Sequence, residues 1–347
     1  MEISSVHTPR SLYGPGKRVT AKPRTVYAAL DLGTNNCRLL VAVPADGGFR
    51  VIDSFSRITR LGEGLHASGQ LSENAIGRTV DALQICAQKL RKYKDLRARF
   101  VATEACRGAR NCDSFVEMAE HRTGINLEII SAKEEAQLAV RGCRPLLKPN
   151  RKFALVFDIG GGSTEVTLVR VADNGDISQV VNSISMPWGV VRLAEEYDCG
   201  EVDRERFEAM VATISDLLVH FERRNNISDL LRDGALQMIG TSGTVTTIAG
   251  VQLGLEKYER DKVDGRLLDF ETIRTIVAQL CAMNLAELAG HPCIGAERAD
   301  LVLPGCAIME AILREWPVGE LTVADRGLRD GILYDLIAAH HQQTHPT

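Results

Sequence analysis

The chain has no CxxC pair, no run approaching 18 apolar residues, no GxxxxGK[ST] phosphate loop and no GxGxxG opening a helix. The nine cysteines, at 37, 86, 106, 112, 143, 199, 281, 293 and 306, are odd in number and sit mostly in apolar stretches such as LQICAQKL. That usage excludes a zinc site and a disulfide framework, and it predicts reduced thiols in a cytoplasmic protein. With no membrane-length segment, and no signal-peptide core in the first 25 residues, a soluble chain without membrane contact is expected. A net charge of -4 excludes a general polyanion binder, so any anion site is local and no nucleic-acid partner is expected. The missing glycine motifs exclude a P-loop nucleotidase and a dinucleotide enzyme. Histidines 66, 121, 220, 291, 340, 341 and 345 fit neither metal nor triad spacing.

What is present describes two soluble domains of ordinary size, with 45% hydrophobic and 25% charged residues over 347 positions. Residues 1–24, with Arg10, Lys17, Arg18, Lys22 and Arg24 against Glu2, read as a flexible basic tail. Beyond the tail the chain repeats itself. TVYAALDLGTNNCRLLVAV and FALVFDIGGGSTEVTLVRV both read as strand, Asp-x-Gly, polar turn and strand, with Asp31 and Asp158 at an offset of 127 residues. Arg38 and Glu165 each stand seven residues after the aspartate. A third extended segment, a helix, a further strand and a further helix follow in both halves. The helices carry apolar faces, Ile76, Val80, Leu83, Ala87 and Leu90 in one, Phe207, Met210, Ile214, Leu217 and Phe221 in the other. The expected fold is α/β: two similar domains with mixed sheets, spanning 25–147 and 148–347, around an interdomain cleft. The last helix is expected to pack back on the first domain.

Several features could carry chemistry. Gly160, Gly161 and Gly162, with the Ser163 and Thr164 hydroxyls, suit either a tight hairpin or a cradle of backbone N–H groups for phosphate. Its counterpart Gly33, Thr34, Asn35 and Asn36 favours phosphate. Asp31 and Asp158, at matched strand ends, suit either Asx turns or a hydrated Mg²⁺ bridging phosphate oxygens. Gly240, Thr241, Ser242 and Gly243 form a second glycine and hydroxyl turn entering a helix, whose N-terminus favours an anion. Arg38 and Arg107 follow polar turns and could neutralise phosphate. Ser131 and Glu134 form a capping box; Glu135 points elsewhere, to solvent or to chemistry.

The stretches ALDLGTNNCRLLVA, SRITRLGEGL, VATEACRGARN, IISAKEEAQLAV, FDIGGGSTEV, MPWGVVRLAE, IGTSGTVTTIAG, ERADLVLPGCAIMEAI and LTVADRGLRDGILYDL span residues 26–337. In that order they resemble the exopolyphosphatase and guanosine pentaphosphate phosphohydrolase family, within the superfamily of actin, Hsp70-type chaperones and sugar kinases. The resemblance implies two ribonuclease H-like, actin-like domains and Mg²⁺-dependent release of a terminal phosphate from polyphosphate or guanosine pentaphosphate. It makes Glu135 the general base and Glu165 a partner that binds metal or phosphate and positions the water, so that Glu165 joins Asp31 and Asp158 in the expected metal set. The glycines at 160–162, Ser163 and Thr164 would then hold the terminal phosphate, and a homodimer is expected. Gln137 departs from the family's usual arginine, which bears on rate or substrate choice, and TNN at 34–36 stands where SNS is common. The chain lacks the C-terminal helical region of longer members, so short chains or a nucleotide are the expected substrates. A non-catalytic regulator binding ppGpp or polyphosphate is the alternative.

Overall fold

The computed structural model describes residues 25–198 and 203–344, so the expected basic tail and Cys199 lie outside the described residues. Apolar runs form a first sheet from β1 (Val26–Leu32), β2 (Asn36–Ala45), β3 (Gly48–Ile58), β4 (Leu96–Ala102) and β5 (Glu128–Ile129), ordered β3-β2-β1-β4-β5. The second contains β6 (Phe153–Ile159), β7 (Thr164–Val171), β8 (Ile177–Met186), β9 (Leu236–Thr241), β10 (Leu267–Asp269) and β11 (Glu320–Ala324), ordered β10-β11-β9-β6-β7-β8. The repeat holds at the level of single hydrogen bonds. Asp31 pairs with Arg38 in antiparallel β1–β2, and Asp158 pairs with Glu165 in antiparallel β6–β7. Each first strand then pairs in parallel with the fourth of its set, β1 with β4 and β6 with β9. Even the turns agree, Gly33 N donating to Asn36 O at 2.9 Å and Gly160 N to Ser163 O at 2.9 Å.

Alternation along β1 decides what covers the sheet. Ala28, Leu30 and Leu32 face a core shared with Val80, Leu83 and Phe115, from the helices Glu73–Leu90 and Cys112–Thr123. Tyr27 and Ala29 face Leu138, Leu328, Ile332 and Leu333 instead. The last helix, Leu328–Thr344, thus packs on the first sheet beside the helix Ala132–Cys143. That second helix also sends Val140 and Cys143 against Ala154, Val156 and Val169 of the second sheet, so one rod is wedged between both sheets.

The wedge depends on backbone contact. A Cβ on Gly331 would lie 2.0 Å from Leu138 O, and one on Gly142 would lie 2.0 Å from Gly327 O. Helices this close leave no room for a methyl group. Gly331→Ala should therefore destabilise the protein by about 1–3 kcal/mol, the usual cost of overpacking a core. Urea unfolding measures it; an unchanged midpoint would mean that the two helices separate freely.

Some sequence expectations are corrected. The helix Arg204–Asn225 buries Phe207, Met210, Val211, Ile214, Leu218 and Phe221, while Leu217 is only half-buried at the edge of that core. Ser131 caps its helix by accepting from Glu134 N, but the Glu134 carboxylate turns to Arg99 at 2.6 Å and leaves the capping box half made. No helix among the described residues is long and apolar enough to cross a membrane, and the eight described cysteines are free thiols.

Candidate active site

The two hairpin turns meet face to face over a cavity of about 140 Å³. Its wall includes Asp31, the Gly33–Asn36 turn, Arg38, Glu135, Asp158, the Gly160–Ser163 turn, Glu165, Ser242 and Gly243. These are residues that the sequence places up to 212 positions apart. The glycines serve space rather than strain, since none of Gly160, Gly161 and Gly162 has positive φ. A Cβ on Gly161 would press on Thr34 Cβ at 3.0 Å and Asn35 N at 3.1 Å, and one on Gly162 on Thr34 Oγ1 at 2.7 Å and Glu104 Cγ at 2.9 Å. The turn is therefore glycine-rich so that the opposite hairpin can approach. It leaves buried polar atoms without partners, Thr34 Oγ1, Asn35 Oδ1 and Asn36 Oδ1, at the cavity wall.

Three expected ligands stand elsewhere. The Thr164 hydroxyl donates to Trp188 O at 2.7 Å, and the Thr241 hydroxyl to Arg326 O at 2.7 Å, so both are spent on fixing backbone. Gly240 lies within β9, where a Cβ would strike the Phe157 ring at 2.5 Å; it is a packing glycine. Next to it Ser242 has φ 129, a left-handed value uncommon for serine, and opens the helix Gly243–Gln252 toward the cavity. That corner, with Gly243 and Thr244 after it, is the part of GTSGT that lines the site.

Carboxylates form one side. Glu135, in the first turn of the wedge helix, has 15% of its side chain exposed and accepts from Arg107 Nη1 at 2.7 Å. Burial, with repulsion from Glu165, pushes its pKa well above the ordinary carboxylate value, against the pull of Arg107. Glu165 is 3% exposed and accepts from Ser163 Oγ at 2.8 Å and Ser185 Oγ at 2.6 Å. Burial raises its pKa to about 7 despite those bonds. Asp158 is raised to about 6 by burial and by Asp31, and burial likewise raises Asp31.

Arg107 is expected on phosphate, yet four of its five N–H donors bond within the protein. They reach Glu104 Oε2 at 2.8 and 3.1 Å, Ile130 O at 2.9 Å and Glu135. It orients the carboxylate. The cationic side of the wall is built by Arg38 and Arg298, with the half-buried Arg329 close to Arg38 and Asp31; sequence reasoning missed both Arg298 and Arg329. Among the described residues none of the three has an ion-pair partner. Burial and the neighbouring Arg38 hold both Arg298 and Arg329 below the ordinary arginine pKa, a cost that a bound anion relieves. Their signal lay in the ERAD and GLRD stretches, where arginine stands at the start of a helix.

The donor set also fits a divalent cation. Among the described residues no three acidic, histidine or cysteine side chains converge to hold an ion by themselves, which corrects the expected trio of Asp31, Asp158 and Glu165. Asp31 and Asp158 nevertheless repel each other across the cavity beside unpartnered polar atoms. A hard cation that keeps most of its waters needs only one or two carboxylates plus phosphate oxygens.

Residues 40–340 match the Ppx/GppA phosphatase family. The chain belongs to that family. It is 28% identical over 316 residues to a guanosine-5'-triphosphate,3'-diphosphate pyrophosphatase of Aeromonas hydrophila, covering 91% of this chain but 60% of that one. It thus spans little more than half the length of that relative. With exopolyphosphatase 2 of Mycobacterium tuberculosis it shares 31% identity over 329 residues, covering 90% of this chain and 98% of the other. The crystal structure of the Aquifex aeolicus family member superposes with a TM-score of 0.73 at 27% identity, covering 92% of this chain and 99% of that one. An exopolyphosphatase from Cytophaga hutchinsonii shares the fold with a TM-score of 0.81 at 24% identity, over 91% and 98% of the two chains. The fold of these Ppx/GppA proteins is the two-domain, actin-like architecture described above.

Proposed function

We propose that the chain is a phosphohydrolase that removes the terminal phosphate of polyphosphate, or the 5′ γ-phosphate of guanosine pentaphosphate, with Mg²⁺ as cation. The observation that carries this reading is one cavity lined by the Glu135 carboxylate, the Gly160–Ser163 turn, and Arg38 and Arg298, which have no ion-pair partner among the described residues. Names of relatives over most of the chain support both substrates, which share a terminal phosphate on an anionic chain.

The Gly160–Ser163 turn and the Thr34–Asn36 turn bind the terminal phosphoryl group, while Arg38 and Arg298 neutralise the oxygens behind it. Phosphoryl transfer needs charge neutralisation and an in-line water more than covalent help. Asp31 and Asp158 would hold the cation, which when bound supplies charge neutralisation at phosphate oxygens. Glu165, fixed by Ser163 and Ser185, orients the attacking water. Glu135 takes a proton from that water. Phosphate release from tripolyphosphate, longer polyphosphate and guanosine pentaphosphate, compared by kcat/KM, tests the reading; no release above background from any of them would overturn it.

Arg107 divides two roles. As the holder of Glu135 it lowers that carboxyl's pKa. Arg107→Gln should then move the acid limb of the kcat profile to higher pH and lower kcat more than it raises KM. A raised KM with an unmoved pH profile would return Arg107 to the substrate.

A further inference from the structure

A second cavity, of about 500 Å³, lies behind the carboxylates, between the first turns of Ala132–Cys143 and the β7–β8 face. Its wall carries Lys133, Gln137, Thr167, Asn182, Ser183 and Ser185. Strand alternation puts Glu165 and Thr167 on one face of β7, and the register sets Ser185 and Ser183 beside them on β8. A polar row therefore runs from Glu165 in the first cavity through Thr167 and Ser183 in the second. A hydrogen bond links the two walls. Ser185 is exposed, lines the second cavity and not the first, and donates at 2.6 Å to the buried Glu165 Oε1.

In-line displacement puts the attacking water and the leaving group on opposite sides of phosphorus. A polyanion that enters by the cavity mouth places its terminal phosphate deepest, with the leaving chain filling the route behind it. Water then has to arrive from the side of Glu135 and Glu165, whose chain neighbours Ala136 and Gln137 and hydrogen-bond partner Ser185 line the second cavity. Neutral water passes two carboxylates without Coulomb cost, whereas a phosphate anion is repelled. Gln137 now has a place: its uncharged amide leaves Lys133 as the one cation among the lining residues, so the passage does not trap anions.

From this geometry we infer that the second cavity admits the nucleophilic water to Glu135 while substrate closes the first. The inference rests on the base and phosphate roles given above. Two independent fillings test it, Ser183→Leu combined with Gln137→Phe inside the cavity and Ala132→Phe at its rim. In each, the single-turnover rate constant on tripolyphosphate should fall tenfold or more, while the Kd of a methylene-bridged, non-hydrolysable analogue stays within twofold. Thermal unfolding identifies the variants that fold, and either one suffices. A folded variant with an undiminished rate overturns the inference alone, because water then enters by the mouth. Rate and analogue affinity lost in parallel overturns it as well, since the filling has then distorted the phosphate site. A Glu135→Gln enzyme that keeps its rate overturns the base role and this inference with it.

Discussion

Glu135→Gln lowers kcat for phosphate release by about 10²- to 10⁴-fold, the range that a positioned general base contributes, with little change in KM. The amide keeps the shape of the side chain and can still accept from Arg107, so the wedge helix and the cavity wall are retained. What disappears is the group able to receive a proton. Because burial and Glu165 raise the pKa of Glu135, the wild-type rate should climb with pH above the ordinary carboxylate range, as the carboxyl loses its proton. The residual activity of the variant should lack that limb. Steady-state kinetics across pH measures both effects, and a variant within threefold of wild type would remove Glu135 from the chemistry.

Glu165→Gln stabilises the cation-free protein at pH 8 while lowering its activity. The Glu165 carboxyl has an ordinary pKa of 4.5 and is pushed up to about 7 in the folded protein. Below the unfolded value both states are protonated and the residue costs nothing. As pH rises toward 7 the unfolded chain ionises first, so stability falls, and above 7 the loss is complete. A gap of this size corresponds to roughly 3 kcal/mol at about 1.4 kcal/mol per pH unit. The glutamine carbonyl can accept from Ser163 and Ser185 as the carboxylate does, so the gain is not offset by lost hydrogen bonds. Unfolding measured in chelator should show the variant ahead by several degrees at pH 8, with the lead closing by pH 4. A constant lead at every pH would mean that ionisation of Glu165 is not its source. Stability given up at a carboxylate held for function is the expected trade at such a site.

The sequence was most legible where it repeated itself. The 127-residue offset aligned Asp31 with Asp158, and the structure carries that alignment into identical pairing and identical turn bonds. It was least legible at β10 and β11, strands of three and five residues too short to show a period. Leu217 lies on the expected apolar face but only at its edge: helical spacing admits both 217 and 218, and Leu218 is the one fully buried. By sequence the glycines of GGGST suit a tight hairpin or a phosphate cradle. The room a Cβ would fill is taken by Thr34, Asn35 and Glu104 of the other half.

By itself the sequence determined the class of the molecule. Local alternation, turn glycines and a duplicated Asp-x-Gly pattern depend on neighbours in the chain, and those dictate two mixed sheets with carboxylates at matching strand ends. Only the tertiary structure decided the roles. Glu134 and Glu135 are adjacent in sequence, yet one meets Arg99 near the surface and the other is buried beside Glu165. Arg107, Arg298 and Arg329 are equally charged, yet the first is occupied by carboxylates and the other two are left without ion-pair partners among the described residues. Those differences come from burial and from contacts between residues far apart in the chain, which set pKa and free donors and which no local pattern encodes.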